Sequence, residues 1–316
     1  MEIEENLISE ELLEEADIAF CSNFKREAYF EMPVFMSRIA EHFDETSMFF
    51  DVKAPRRSIS SIEAEVHLCK QLGWSPVLRV DTELYKFSEV LDVIKKAATI
   101  WDKKLDVAMG SLTRNELDIV RPYVSTIIAR LASVNKGVQK RFVPNKLIFD
   151  QLATLGEANG FEKGLDIILG LGETLDDIPE LMRFIQTHGI NKVTFFLADK
   201  QAAQKRQPSS FYVARWIAET RIRFPNIKIV AGTLLERQAE VGLFMRAGAN
   251  AITQFPALKI FNSEQSRVIE EEFKNAKRNF IGTFSDSSKL EAIDRSLIKE
   301  EVLGKLEKYI EAMKRR

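Results

Sequence analysis

Short apolar runs rich in Val, Ile and Phe recur along the chain, and longer segments of helical period separate them. The runs occupy residues 17–21, 76–80, 105–109, 126–131, 165–169, 192–197, 228–231 and 251–255. Unbroken apolar strands of this kind suit a parallel sheet covered by helices on its outer face. Helix start signals lie between them. Ser60 with Glu63 and Thr113 with Glu116 fit a capping box, Thr174 with Asp177 is a near version, and Pro208-Ser209 opens a helix that stops at Pro225. Eight strand–helix units joined by right-handed crossovers close into an α/β fold of the (β/α)8 TIM-barrel type. An open doubly wound sheet is the alternative that the pattern leaves standing.

Residues 31–57 interrupt this rhythm. They are read as an insertion with a helical stretch over 33–43 and an extra apolar run at 48–52. Near the end, Ile298, Val302, Leu306, Ile310 and Met313 recur every three or four positions, which predicts an amphipathic helix packed on the barrel. The chain therefore divides into a barrel over 1–284 and a C-terminal helix over 285–316. No Gly-, Pro- or Ser-rich linker separates them.

The charge balance excludes several classes of partner. A formal net charge of −2 gives no electrostatic reason to expect nucleic acid or an anionic membrane. Seven glutamates between Glu2 and Glu15 precede the first basic residue, Lys25, which is the reverse of a secretory or transit peptide. Two cysteines, Cys21 and Cys69, cannot build a disulfide framework, so a reducing cytoplasm is the expected compartment. His42, His67 and His188 are scattered, which speaks against a Cys/His zinc site.

In a parallel barrel the loops after the strands form the active face. With a first strand at 17–21, the stretch "CSNFKREAYF" (21–30) would lie there with Lys25. Asp81 and Glu83 would follow the second strand as a candidate acid and base. "GLGETLDD" (170–177) would follow the fifth. Its Gly170 and Gly172 let backbone approach a ligand, and Glu173 and Thr174 open a helix whose N–H groups could meet an anion. A Schiff-base role for Lys25 would require an apolar pocket, whereas its neighbours are polar.

"GLGETLDD", followed about sixty residues later by "AGTLLERQAEVGLFMRAGANAITQFPAL", resembles the biotin synthase branch of the radical S-adenosylmethionine (SAM) enzymes. Within that branch it is most similar to the two-component lipoyl synthases and their uncharacterised relatives, over residues 105–284. The resemblance implies a (β/α) barrel of the radical SAM kind. It also implies a three-cysteine loop after the first strand, whose thiolates hold a [4Fe–4S] cluster with one iron open to SAM. In this sequence Cys21 matches the first ligand, but Lys25 and Ala28 stand at the second and third. The SAM-binding Gly-Gly-Glu of the family falls on Asp81-Thr82-Glu83, so only Glu83 survives. The acidic residue after the fourth strand falls near Ala132, and the arginine after the seventh falls on Thr233. The turn after the sixth strand, "ADKQAA" (198–203), has no counterpart.

The resemblance thus implies a pseudoenzyme. It would lack the [4Fe–4S] cluster, with Cys21 a remnant ligand, and would bind SAM or a related nucleoside through Glu83, Gly170, Gly172, Glu173, Thr174 and Thr233. A natural partner is an intact radical SAM homologue. One alternative is an active sulfur-insertion enzyme with non-standard cluster ligands. Another is a barrel lyase or aldolase that uses Lys25 or the Asp81/Glu83 pair.

Overall fold

Eight parallel strands close into a barrel, because β1 pairs with both β8 and β2. The computed structural model describes residues 7–37, 56–80, 85–142, 145–198 and 207–315. The strands are β1 (Glu27–Phe35), β2 (Ser75–Arg79), β3 (Leu105–Ala108), β4 (Val124–Arg130), β5 (Glu162–Leu169), β6 (Lys192–Leu197), β7 (Lys228–Gly232) and β8 (Ala251–Thr253). A short β9 (Asn279–Phe280) adds to the beginning of β1. Helix α1 (Glu10–Asn23) precedes the barrel, and α2 (Ile59–Leu72) and α3 (Phe87–Trp101) flank β2. They are followed by α4 (Arg114–Val120), α5 (Lys136–Phe142), α6 (Asn145–Glu157), α7 (Ile178–His188), α8 (Ser210–Arg223) and α9 (Val241–Arg246). The chain ends with α10 (Ala257–Ile260), α11 (Glu264–Asn275), α12 (Ser288–Glu291) and α13 (Glu300–Lys314). Among the described residues no helix is long and apolar enough to cross a membrane.

Seven of the expected strands are present, with edges moved by at most three residues. The first is a correction. Residues 17–21 lie inside α1, where Ala16 and Phe20 are buried one turn apart and Ile18 is 66% exposed. That is a helical period, not a strand. The true first strand, "EAYFEMPVF", escapes a search for apolar runs because it holds Glu27, Glu31 and Pro33. Residues 33–35, expected to begin a helix, belong to this strand. Met36 and Ser37 follow it without helical structure, Ser37 in an isolated bridge to Arg56, and 38–43 and the 48–52 run lie outside the described residues.

The capping chemistry matches the sequence in most places. The Glu116 carboxylate accepts from the Thr113 N–H at 2.8 Å, and that of Asp177 accepts from the Thr174 N–H at 2.9 Å. Ser209 caps α8, and Ser58 rather than Ser60 caps α2. The expected C-terminal helix is broken after α12. Its later part, α13, buries Val302, Leu306, Ile310 and Met313 and packs on α2.

Between sheet and helices lies an apolar layer that includes Phe30, Trp74 and Phe284, all fully buried. Phe30 meets Trp74 edge-on at 5.4 Å and Phe284 at 5.2 Å, which locks β1 to the segment after β9. The barrel interior is different, because ion pairs occupy it.

Candidate functional site

Side chains alternate along each strand, so every second residue enters the barrel. In the lower half Lys192 on β6 meets Glu31 on β1 at 2.6 Å and Asp106 on β3 at 2.9 Å. Burial alone would push the Lys192 ammonium down, but the carboxylates of Asp106 and Glu31 outweigh it and hold the pKa well above the lysine range. Burial likewise pushes Asp106 up. The ammonium of Lys192 and the hydroxyls of Thr126 and Ser125 overcome this and bring the carboxyl to about 2. Lys192 is thus a fixed cation, unlike the neutral amine that Schiff-base chemistry requires.

Nearer the mouth, Arg79 at the end of β2 meets Asp166 on β5 at 2.8 Å, with side chains 4% and 0% exposed. The guanidinium also lies 4.6 Å above the Phe196 ring. Beside it, Arg130 at the end of β4 donates to the Val80 carbonyl at 3.0 Å. Arg79 Nε and Asp166 Oδ1 are buried and have no hydrogen-bond partner among the described residues. A donor and an acceptor are therefore both unused at the floor of the mouth.

The β5 turn holds its shape with its own carboxylates. Gly170 and Gly172 have φ of 102° and 113°, which side chains rarely tolerate. A Cβ on Gly170 would come within 2.6 Å of Pro208 Cδ. The Glu173 carboxylate accepts from the backbone N–H groups of Gly170 at 2.6 Å and Leu171 at 3.0 Å, and from the Tyr212 hydroxyl at 3.2 Å. Burial pushes the Glu173 carboxyl up against these bonds. The N–H groups of Gly170 and Leu171 are thus occupied from within the turn.

The opposite wall carries a similar internal lock. Gln254 follows β8 with φ 65°, and its amide exchanges two 2.8 Å hydrogen bonds with the backbone of Leu197 at the end of β6. To do so it crosses β7 at Gly232, where a Cβ would lie 2.4 Å from Gln254 Oε1. Thr233 is fully buried, and its hydroxyl donates to the Arg237 carbonyl at 3.4 Å.

The other expected site residues separate. Cys21 lies in α1, Lys25 is exposed in the turn before β1, and Ala28 is buried within β1. All three sit at the N-terminal end of the strand, so they are at the barrel base and cannot be a degenerate loop of the mouth. Asp81 and Glu83 lie outside the described residues. Sequence reasoning missed Arg79, Asp166, Lys192, Glu31, Asp106 and Gln254. A charge inside an apolar strand was the available signal, because a buried charge needs a partner.

The cysteines do not fit a [4Fe–4S] cluster. Cys21 is half-buried at the base, with Sγ 3.8 Å from Asp17 Oδ2, and Cys69 is fully buried on α2 with Sγ 3.5 Å from Met32 Sδ. The segment after β1, residues 36–57, contains no cysteine. Two distant thiols cannot supply three ligands to one cluster.

No family model matches the chain. It is similar to the uncharacterized protein MJ0597 of Methanocaldococcus jannaschii, at 26% identity over 89% of this chain and 83% of that protein. A second uncharacterized protein of the same organism, MJ0785, is 25% identical over 47% of this chain and 42% of its own length. Among solved structures, the FeFe-hydrogenase maturase HydG from Carboxydothermus hydrogenoformans superposes with a TM-score of 0.66 at 14% identity, over 95% of this chain and 81% of that one. Methylornithine synthase (PylB) superposes with a TM-score of 0.64 at 14% identity, over 99% and 91%. Both are radical SAM enzymes. The fold is that of the radical SAM enzymes. The expectation drawn from "GLGET" and "AGAN" is met at the level of architecture.

Proposed function

We propose that this protein is a radical SAM-fold pseudoenzyme that carries no [4Fe–4S] cluster of its own and binds SAM or a related nucleoside at the barrel mouth. The observation that carries this reading is the position of the thiols: one at the barrel base, one sealed against Met32, and none in the segment that follows β1. Without three thiolates there is no open iron to hold the amino and carboxylate groups of SAM. The unused valences of Arg79 and Asp166 offer a donor for a carboxylate and an acceptor for an ammonium in its place. The likeness to biotin and two-component lipoyl synthases in the β5 turn and in "AGAN" supports descent from that branch. It also supports a role beside an intact homologue, since a copy that has lost its chemistry can retain a docking face.

Neither Lys25 nor Lys192 favours the lyase reading. Lys25 is exposed at the wrong end of the barrel, and the interior Lys192 is held as an ammonium by two carboxylates. The test is anaerobic purification followed by reconstitution with iron and sulfide. The expected result is colourless protein without a paramagnetic cluster that nonetheless gives a saturable calorimetric isotherm with SAM or S-adenosylhomocysteine. About four irons per chain with a SAM-responsive paramagnetic signal would overturn the proposal.

A further inference from the structure

"CSNFKREAYF" belongs to the other end of the barrel, and there it borders a cavity. The cavity is open to solvent at the N-terminal ends of the strands and has a volume of about 690 Å³, within the size range of small-molecule sites. Lys25, Lys70 and Lys103 stand around it, Trp101 forms one wall, and Tyr29 and Asn250 lie deeper.

Two features separate this cavity from an ordinary surface hollow. Asn250 is 2% exposed, and its amide oxygen is fully engaged, accepting from Arg221 at 2.6 Å and from the Ile229 N–H at 2.8 Å. Asn250 lines the cavity, and its amide nitrogen donates to no group among the described residues. The Tyr29 hydroxyl likewise makes no hydrogen bond among them. Asn250 is buried and Tyr29 partly buried, and two polar groups that face one cavity without a protein partner are available to a ligand with polar edges.

The electrostatics give its sign. None of the three lysines forms an ion pair among the described residues, and Lys103 lies 5.4 Å above the Trp101 ring. Glu27 and Asp102 share the wall, which leaves one net positive charge. Behind Asn250 stands Arg221, fully buried, whose remaining acceptors are the carbonyls of Gly248, Pro225 and Ile227 and no carboxylate. Burial, with Arg278 nearby, lowers its pKa to about 9, which leaves it charged at neutral pH.

We infer that the barrel base is a second ligand site, separate from the mouth, for a small phosphorylated molecule with a planar ring, of the size and chemistry of a mononucleotide. The phosphate meets the lysines as a charge-assisted acceptor. The ring lies on Trp101, and its polar edge receives the Asn250 amide and the Tyr29 hydroxyl.

The experiment titrates the full chain with adenosine 5′-monophosphate, with adenosine and inorganic phosphate as comparison ligands. Binding is followed by calorimetry and tryptophan emission. Trp74 and Trp216 are fully buried, so a ligand-dependent change reports Trp101. Saturable binding of the nucleotide is expected, stronger than that of either comparison ligand. Lys25→Ala, Lys70→Ala and Lys103→Ala, all at exposed positions, should each weaken it about tenfold. Asn250→Asp keeps the acceptor for Arg221 and Ile229, removes the free donor, and should abolish binding. Arg183→Ala, exposed on α7 and outside the cavity lining, should leave it unchanged. No saturation up to about 10 mM nucleotide, or affinity indifferent to all three lysines together, would overturn the inference. So would phosphate alone binding as tightly as the nucleotide.

Discussion

Lys192 and Glu31 meet at 2.6 Å inside the barrel although 161 residues separate them in the chain. The contact ties β6 to β1, the strand that closes the barrel, and Asp106 brings β3 into the same cluster. Removing the cation leaves two buried carboxylates facing each other. Lys192→Met should therefore destabilise the fold by about 3–5 kcal/mol, read from urea unfolding. Replacing all three residues by apolar ones of similar volume should recover much of that loss, since the penalty arises from the uncompensated charge. A triple variant no more stable than Lys192→Met would show that the ion cluster is not the source.

Asp106 makes stability depend on acid. Its folded pKa of about 2 lies below the ordinary 3.8, so its contribution is complete above the unfolded value and is lost as pH falls through the folded one. The difference corresponds to about 2 kcal/mol. Wild-type stability should decline between about pH 5 and pH 2 more steeply than that of Asp106→Asn. Parallel pH profiles for the two proteins would contradict this assignment.

The Arg79–Asp166 pair invites a double-mutant cycle. Arg79→Leu leaves the Asp166 carboxylate, already short of one partner, without its cation, and should cost about 3–5 kcal/mol. Asp166→Leu should cost a similar amount, and the double variant much less than the sum. If the mouth receives a ligand with an ammonium or carboxylate group, either single variant should also abolish its calorimetric signal at a temperature where the protein remains folded.

The two thiols should react on different timescales. Cys69 is fully buried, and burial with the nearby Glu65 charge holds its thiol well above the usual range. Cys21 is half-buried on the outer helix α1. In native protein a disulfide reagent should label one thiol quickly and the second only on unfolding. Equal rates for both would place Cys69 in solvent and contradict the packing of α2 on β1.

Seven strands were legible because a parallel strand buried on both faces shows as an apolar run whatever lies around it. The first strand was not, for the same reason that makes it important: Glu31 sits in it to neutralise Lys192, a partner no local pattern announces. That one error had a large spatial consequence. A segment after a strand and a segment before it lie at opposite ends of the barrel, so mistaking part of α1 for β1 moved Cys21, Lys25 and Ala28 from base to mouth. The β5 turn was legible as a turn, since Gly170, Gly172 and the Thr174/Asp177 cap are local. That Glu173 fills its own anion position was not, because nothing in the spacing tells a carboxylate that binds its own backbone from one facing a ligand.

Gly232 and Gln254 provide the sharpest test of the mouth's construction. The Gln254 amide spans from β8 to Leu197 on β6 only because β7 carries no Cβ at the crossing point. In Gly232→Ala the new methyl would lie 2.4 Å from Gln254 Oε1 and 2.8 Å from the Phe195 carbonyl. The glutamine must then leave, and overpacking of this kind costs about 1–3 kcal/mol. Gln254→Ala removes both partners from the Leu197 backbone and should cost about 1–3 kcal/mol by itself. Combined, the methyl enters space the glutamine has vacated, so the double variant should be more stable than the sum of the singles predicts by about 1 kcal/mol. Strict additivity in urea unfolding would mean that the glycine serves the backbone of β7 rather than the passage of Gln254.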